Sequence, residues 1–292
     1  MTAIKTIGIL GAGQMGSGIA HVAAQAGYQV ILQDVFPDAL SRAPETIAKN
    51  MAREVKREKL SEADRDAALG RIRTTGDLAQ VCAGELVIEA VTESLELKLE
   101  LIGGLKPHLR EGAILATNTS SISVTRLASA APAPERFVGL HFFNPVPMMG
   151  LVELIRGVAT DDATFAAVRA LTEKMGKTPV EARDSPGFIV NRIFVPMLNE
   201  AIFTLQEGVG TIEAIDAGMK LGVRHPMGPF ALTDYIGLDT VLAVMRVLHG
   251  ELGEDKYRPC PLLVKYVEAG WLGVKSGRGF YDYSQDPPVP TR

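Results

Sequence analysis

The chain has 292 residues, 47% of them hydrophobic, and a formal net charge of −4. That length can bury a large core and fits two domains, while the acidic balance excludes a general attraction to nucleic acid or an anionic membrane. Cys82 and Cys260 are too few and too far apart for a disulfide scaffold or a zinc site, no uncharged apolar run reaches the ~18 residues of a membrane span, and the first apolar run starts too close to Met1 to leave space for a leader, so a soluble cytoplasmic protein without a metal is expected.

The run from Ile4 to Leu10 reads as a strand. It leads into Gly11-Ala12-Gly13-Gln14-Met15-Gly16, and Ser17-Gly18-Ile19-Ala20 then starts a helical pattern. Strand, glycine turn and helix together make a dinucleotide-binding fingerprint. Gly11 suits a tight turn, Gly13 lets the backbone approach a pyrophosphate, and Gly16 allows close helix–strand packing. Gln14 and Met15 complete the turn at the helix N-terminus, whose free N–H groups favour phosphate. A second strand, Gln29 to Gln33, ends at Asp34, about the ~20-residue remove the fingerprint requires. Asp34 can accept hydrogen bonds from ribose hydroxyls and repels a 2′-phosphate, so the expected cofactor is NAD rather than NADP. The alternative is a turn that serves packing alone, with Asp34 a solvated strand end.

Residues 38–59 read as a long charged helix, and Ser61 with Asp64 starts a shorter one running to Gly70. The two form a helical-hairpin insertion at about 38–70. Lys49, Arg53, Lys56 and Arg57 have helical spacing and could grip the phosphates of a long anionic substrate. Glu54, Glu58 and Lys59 are interspersed, however, and a solvated face is the simpler account from the residues alone.

The next strand, Glu85 to Val91, is followed by a helix from Leu95 to His108. Glu93 and Lys98 lie past the carboxyl end of that strand, where ligands collect in open α/β sheets. A strand from Gly112 to Thr117 runs into Asn118-Thr119-Ser120-Ser121, a cluster expected to cap a helix over 124–129. Four consecutive polar side chains exceed what a cap needs, so Asn118 and Ser120 are expected to contact a ligand. Phe137 to His141 is a strand with histidine at its carboxyl end. A proline-bounded turn follows, and the chain returns through Leu151 to Ile155. Glu153 interrupts that apolar return strand and should face a partner, because an unpaired buried charge is expensive. The 161–175 helix and an edge strand, Thr178 to Ala182, complete this part.

Asp184-Ser185-Pro186-Gly187 marks the boundary and doubles as a helix start. The helix from Phe188 to Glu207 is apolar over a broad stripe, kinked at Pro196, and carries Asn191 one turn inside. Shorter helices follow at Thr211–Lys220, Thr240–Gly250 and Leu262–Ala269. A Gly-rich stretch, 273–280, and a Pro-rich tail from Asp286, expected to be disordered, end the chain. The fold class is therefore α/β: a Rossmann-type NAD-binding domain over 1–184 with the helical insertion, then an all-α domain over 185–292. The excess of apolar stripes in the second domain points to dimerisation.

These segments resemble the short-chain L-3-hydroxyacyl-CoA dehydrogenase family, in particular its bacterial 3-hydroxybutyryl-CoA dehydrogenases. The resemblance rests on GAGQMGSGIA (11–20), VIEAVTESLELK (87–98), ATNTSSISVT (116–125), GLHFFNPVPMMGLVELI (139–155), SPGFIVNRI (185–193), LGVRHPMGP (221–229) and AGWLGVKSGRGFYDY (269–283). It spans nearly the whole chain. It implies NAD-dependent oxidation of an (S)-3-hydroxyacyl-CoA to the 3-ketoacyl-CoA and the reverse reduction, a homodimer, and an active site in the cleft between the domains. Loss of a hydride from a secondary alcohol needs a base poised near neutral pH, a role suited to histidine. The resemblance makes His141 that base and Glu153 its orienting partner. The residues alone would fit a satisfied core histidine equally well. It further implies that Asn191 holds the substrate and the histidine, and that Ser120 contacts the substrate's 3-oxygen. Asn118, Asn144, Glu93, Lys98 and Lys275 would meet the cofactor, and Arg53, Lys56 and Arg57 the CoA. His21, His108, His225 and His249 show no such convergence. Two other readings stand beside this one: a dehydrogenase of free β-hydroxy acids, and an NAD-binding protein of the same fold without turnover.

Overall fold

Strands of four to six residues, apolar in the centre and more polar at the two edges, form a single eight-stranded sheet in the first unit of the chain, which ends at Ser185. The computed structural model describes residues 3–292. In chain order the first unit contains β1 (Thr6–Leu10), α1 (Gln14–Gln25), β2 (Gln29–Gln33), α2 (Pro37–Lys56), α3 (Glu62–Leu69) and β3 (Ile72–Thr75). It continues with α4 (Leu78–Val81), β4 (Leu86–Glu89), α5 (Leu95–Gly104), β5 (Ile114–Thr117), α6 (Val124–Ala128) and β6 (Phe137–Phe142). β7 (Leu151–Arg156), α7 (Asp162–Lys174) and β8 (Thr178–Arg183) close it. The sheet order is β3-β2-β1-β4-β5-β6-β7-β8.

All pairings from β3 to β6 are parallel, and β4, β5 and β6 are buried at every position, as expected of strands covered on both faces. The chain leaves β1 in one direction for β2 and returns on its other side as β4. A crevice therefore opens at the carboxyl end of β1. β7 breaks the parallel pattern by pairing antiparallel with β6, which places Glu153 directly opposite His141.

In the insertion, α2 buries Ala43, Ile47 and Met51, one per turn, against the sheet unit's core and leaves its other faces polar. Ser61 caps α3, its Oγ accepting from Asp64 N at 3.0 Å. The expected capping of α6 by the 118–121 cluster is corrected. Ser123 is the cap, and the Asp184 carboxylate accepts from Val124 N (2.9 Å) and Thr125 N (2.7 Å). Asp184 thus caps the start of α6 in the first unit instead of starting the next unit's helix.

The second unit, Pro186–Arg292, is helical: α8 (Val190–Gln206), α9 (Ile212–Gly222), α10 (Pro229–Ile236), α11 (Leu238–Leu252) and α12 (Pro261–Glu268). α8 starts later than expected because Gly187 (φ 72) and Phe188 (φ 48) hold left-handed backbone that cannot be helical. The tail is ordered, contrary to expectation. β10 (Val289–Pro290) pairs antiparallel with β9 (Tyr281–Asp282), and Thr291 N donates to Phe280 O at 2.9 Å. Among the described residues no helix is long and apolar enough to cross a membrane, and no group of His, Cys, Asp or Glu is arranged to hold a metal.

The C-terminal ribbon is anchored by Asp234 of α10, only 1% exposed, which accepts from Phe280 N (2.9 Å), Tyr281 N (2.8 Å) and the Tyr283 hydroxyl (3.0 Å). Burial pushes its carboxyl up to about 6, against the pull of those donors and with the help of neighbouring Asp216. A folded-state value above the unfolded one favours the protonated native state. The stability this group contributes is then complete below pH ~4 and is lost as pH rises towards 6. The stability of Asp234→Asn relative to the parent chain should therefore rise by on the order of 2–3 kcal/mol between pH 4 and pH 6. Urea unfolding at both pH values checks this, and a constant difference would contradict it.

Candidate active site

The glycine turn is shaped by close backbone packing. Gly11 has φ 99°, and its N–H donates to Gln33 O at 2.8 Å. A Cβ on Gly16 would lie 1.7 Å from the Gly11 carbonyl oxygen, so only glycine lets α1 start this close to the turn. At Gly13 an added Cβ would meet nothing within 4 Å, which leaves that backbone open to a ligand. Asp34 closes the other side: its Oδ2 accepts from Ala12 N (2.7 Å) and its Oδ1 from Phe36 N (3.0 Å). Between them lies a cleft of about 500 Å³, lined by Gly11, Gly13 and Asp34 and walled by apolar Val35, Val91 and Leu97. An open glycine backbone at a helix N-terminus, a ribose-seeking carboxylate and apolar walls fit a dinucleotide. Gln14 stands at the helix start, whereas the Met15 side chain packs against the core.

Past β4 and β5, carboxylates organise the polar cluster. Glu89, fully buried, accepts from Lys98 Nζ (2.6 Å), Thr117 Oγ1 (2.7 Å) and Val91 N (2.7 Å). Glu93 Oε1 accepts from Thr119 Oγ1 (2.6 Å), Ser120 N (2.9 Å) and Ser120 Oγ (3.3 Å), and Lys98 Nζ stands 3.2 Å from its Oε2. Burial alone would raise the Glu93 carboxyl, but the Lys98 charge and these donors outweigh it and hold the group below its ordinary value. Lys98, expected to meet the cofactor's ribose, is 1% exposed and shared between the carboxylates of Glu89 and Glu93. A buried ammonium needs its counter-charges, and Glu89 and Glu93 supply them. Asn118 is fixed through its Oδ1, which accepts from Phe142 N at 2.9 Å.

His141 follows on β6. It is 5% exposed, and its Nδ1 is 2.7 Å from Oε2 of the fully buried Glu153. The cross-strand register makes them neighbours, and the Phe143 ring packs 4.5 Å from the imidazole. An ionised carboxylate is acceptor-only, so Nδ1 carries the hydrogen and the tautomer is assigned. Asn144 is the second residue of the loop after β6, and its Oδ1 accepts from Gln14 Nε2 at 2.9 Å, joining that loop to the glycine turn.

A second cavity, about 440 Å³, adjoins the glycine turn on the side of the insertion. One wall is the loop Asn144–Pro147 and the other is α2, through Arg42, Thr46 and Asn50. Arg53 continues that stripe and donates to Asn50 Oδ1 at 3.4 Å, while Arg57 follows the last helical residue. Lys56 lies off the 42/46/50/53 stripe. Arg42 and Asn50 were missed by sequence reasoning, although their i, i+4 spacing with Thr46 was available as a signal. In the second unit, Asn191 occupies the first turn of α8, and Lys275 Nζ is held by Asp239 at 2.7 Å.

Comparison with known proteins supplies the context. Residues 6–185 match the family model of the 3-hydroxyacyl-CoA dehydrogenase NAD binding domain, and residues 187–283 that of the 3-hydroxyacyl-CoA dehydrogenase C-terminal domain. A 3-hydroxybutyryl-CoA dehydrogenase of Bradyrhizobium diazoefficiens is 57% identical over 289 residues, 99% of each chain. The human mitochondrial hydroxyacyl-coenzyme A dehydrogenase is 42% identical, over 96% of this chain and 91% of that one. The crystal structure of an (S)-3-hydroxybutyryl-CoA dehydrogenase from Ralstonia eutropha superimposes with a TM-score of 0.94 at 50% identity, covering 97% of this chain and all of that one.

Proposed function

The chain belongs to the 3-hydroxyacyl-CoA dehydrogenase family of NAD-dependent oxidoreductases, and from that premise we propose that it oxidises (S)-3-hydroxybutyryl-CoA to acetoacetyl-CoA and runs the reverse reduction. The observation that carries the reading is the buried His141–Glu153 pair, at 2.7 Å, beside a glycine turn built for a dinucleotide.

Bound NAD supplies the acceptor for the hydride leaving C3. His141 takes the hydroxyl proton at Nε2, the nitrogen that Glu153 does not engage through Nδ1. Glu153 then stabilises the imidazolium without itself being protonated, the role of an orienting carboxylate in acid–base triads. In the reductive direction the same ring returns the proton to the carbonyl oxygen. Ser120, ordered by Glu93, and Asn191, in a segment that resembles the family's, are proposed to hold the substrate's 3-oxygen. Asn118, Asn144, Glu93 and Lys275 are assigned to the cofactor, with Lys98 acting through Glu93. The CoA portion is assigned to the cavity along α2, where Arg42, Asn50, Arg53 and Arg57 offer donors to phosphates and amides; Lys56 adds charge nearby. A soluble cytoplasmic homodimer completes the proposal, supported by exposed Ile193, Leu221, Val223 and Tyr235 in the second unit.

Initial rates with acetoacetyl-CoA, using NADH and NADPH in parallel, test the reading. Turnover is expected with NADH, and kcat/KM should be at least about 100-fold lower with NADPH, because Asp34 opposes a 2′-phosphate. No turnover of acetoacetyl-CoA, or activity only on free 3-hydroxy acids, would overturn the substrate assignment. Comparable kcat/KM with both cofactors would overturn the role of Asp34.

A further inference from the structure

Lys177, just before β8, has no part in the chemistry described above, yet it is only 8% exposed. Its Nζ donates to the carbonyl oxygens of Val146 (2.7 Å) and Met149 (2.8 Å) and lies 3.5 Å from that of Pro147. All three are neutral acceptors in the loop between β6 and β7. Burial lowers the proton affinity of this ammonium, and Glu54 of α2 opposes that effect through space. Burying an ammonium against neutral groups costs several kcal/mol, and an apolar side chain of similar length would avoid the cost. The charge must therefore do something that packing cannot.

The loop explains what that is. Pro145 and Pro147 remove two backbone N–H donors from it, so its carbonyls have few partners of its own making. One ammonium supplies three donors from a single point. The loop also has no slack on its other side. A Cβ on Gly18 of α1 would come within 2.8 Å of Val146 Cβ, and Asn144 is held by Gln14. Asn144, Pro145, Val146 and Pro147 line the 440 Å³ cavity opposite Arg42 and Asn50. The tether thus acts on a wall of the cavity; Gly13 and Ala39 line the cofactor cleft as well, but no residue of the fastened loop does.

We infer that Lys177 is a positioning residue that sets the width of the acyl-CoA groove by fastening the loop after β6. The inference rests on the assignment of that cavity to the CoA portion of the substrate. In Lys177→Met, which removes the donors but keeps the length, KM for acetoacetyl-CoA is expected to rise about tenfold or more, as ångström-scale misplacement of a substrate wall does. kcat should stay within about threefold, KM for NADH should change far less than KM for acetoacetyl-CoA because Asn144 keeps its own hold on Gln14, and KM for a truncated acetoacetyl thioester lacking the phosphopantetheine should hardly change. Lys177→Arg retains charge and donors and should recover most of the loss. If Lys177→Met does not fold, Lys177→Arg carries the test alone through a smaller rise confined to the same KM. A folded variant with unchanged KM for acetoacetyl-CoA, or with equal losses on the full and truncated thioesters, would overturn the role. Absence of turnover in the parent chain would instead remove the underlying substrate assignment, so the two failures are distinguishable.

Discussion

Replacing His141 with alanine is expected to lower acetoacetyl-CoA reduction by about 10²–10⁴, with NADH affinity held within about twofold of the parent chain. The loss is large because no other imidazole is placed to move this proton. His21 lines the 440 Å³ cavity but is 1% exposed and faces Glu54, its Nε2 3.3 Å from Glu54 Oε1, and the remaining histidines lie outside the clefts described. Affinity for NADH should survive because the dinucleotide cleft is lined by Gly11, Gly13 and Asp34, well apart in sequence from β6. Glu153→Gln keeps an acceptor oxygen for Nδ1 but removes the charge that stabilises the imidazolium, so it should cost less than His141→Ala. Stopped-flow reduction and fluorescence titration of NADH separate the chemical step from binding. Parent-like turnover in His141→Ala would remove the imidazole from the mechanism.

The second large effect is expected at Gly16. The Cβ introduced by Gly16→Ala would sit 1.7 Å from the Gly11 carbonyl oxygen, a distance that cannot persist. Because the neighbour is backbone, either α1 or the turn must move. Overpacking of this kind costs about 1–3 kcal/mol, and a rigid backbone neighbour puts this site at the upper end. The moved turn also loses the aim of its N–H groups, so NADH affinity should fall by about 100-fold or more. Chemical denaturation and NADH titration of the purified variant measure the two losses. Parent-like values in both would show that the helix start has freedom the structure denies it.

Much of this architecture is legible in the residues, because the signals are local. The glycine turn and the Ser61 cap act within one or two turns of chain, and the acid ending β2 stands at a fixed remove from that turn. A proline-bounded turn between the strands of His141 and Glu153 is legible too, and the register of β6 with β7 sets the two residues opposite each other. What escapes the sequence depends on distant partners. β3 is a half-buried edge strand without an apolar run, so periodicity cannot see it. Asp184 caps a helix some sixty positions earlier in the chain. The tail is ordered by backbone pairing and by Asp234, and its proline content gives no hint of that. Lys98 is a lysine at the right place in sequence, but two carboxylates draw its charge inward. The basic face of the insertion is legible as charge; which of its residues front the cavity is settled by the rotation of α2, and that brings in Arg42 and Asn50.

The emptiness around the Gly13 position separates two kinds of constraint within one six-residue turn. Gly11 and Gly16 are demanded by the chain's own backbone, whether or not anything is bound. Gly13 answers only to the visitor. In a descendant that had abandoned catalysis but kept its architecture, the middle glycine would be released to drift while the outer two stayed fixed. A side chain at that single place is thus something the chain itself would accept and a bound nucleotide would not.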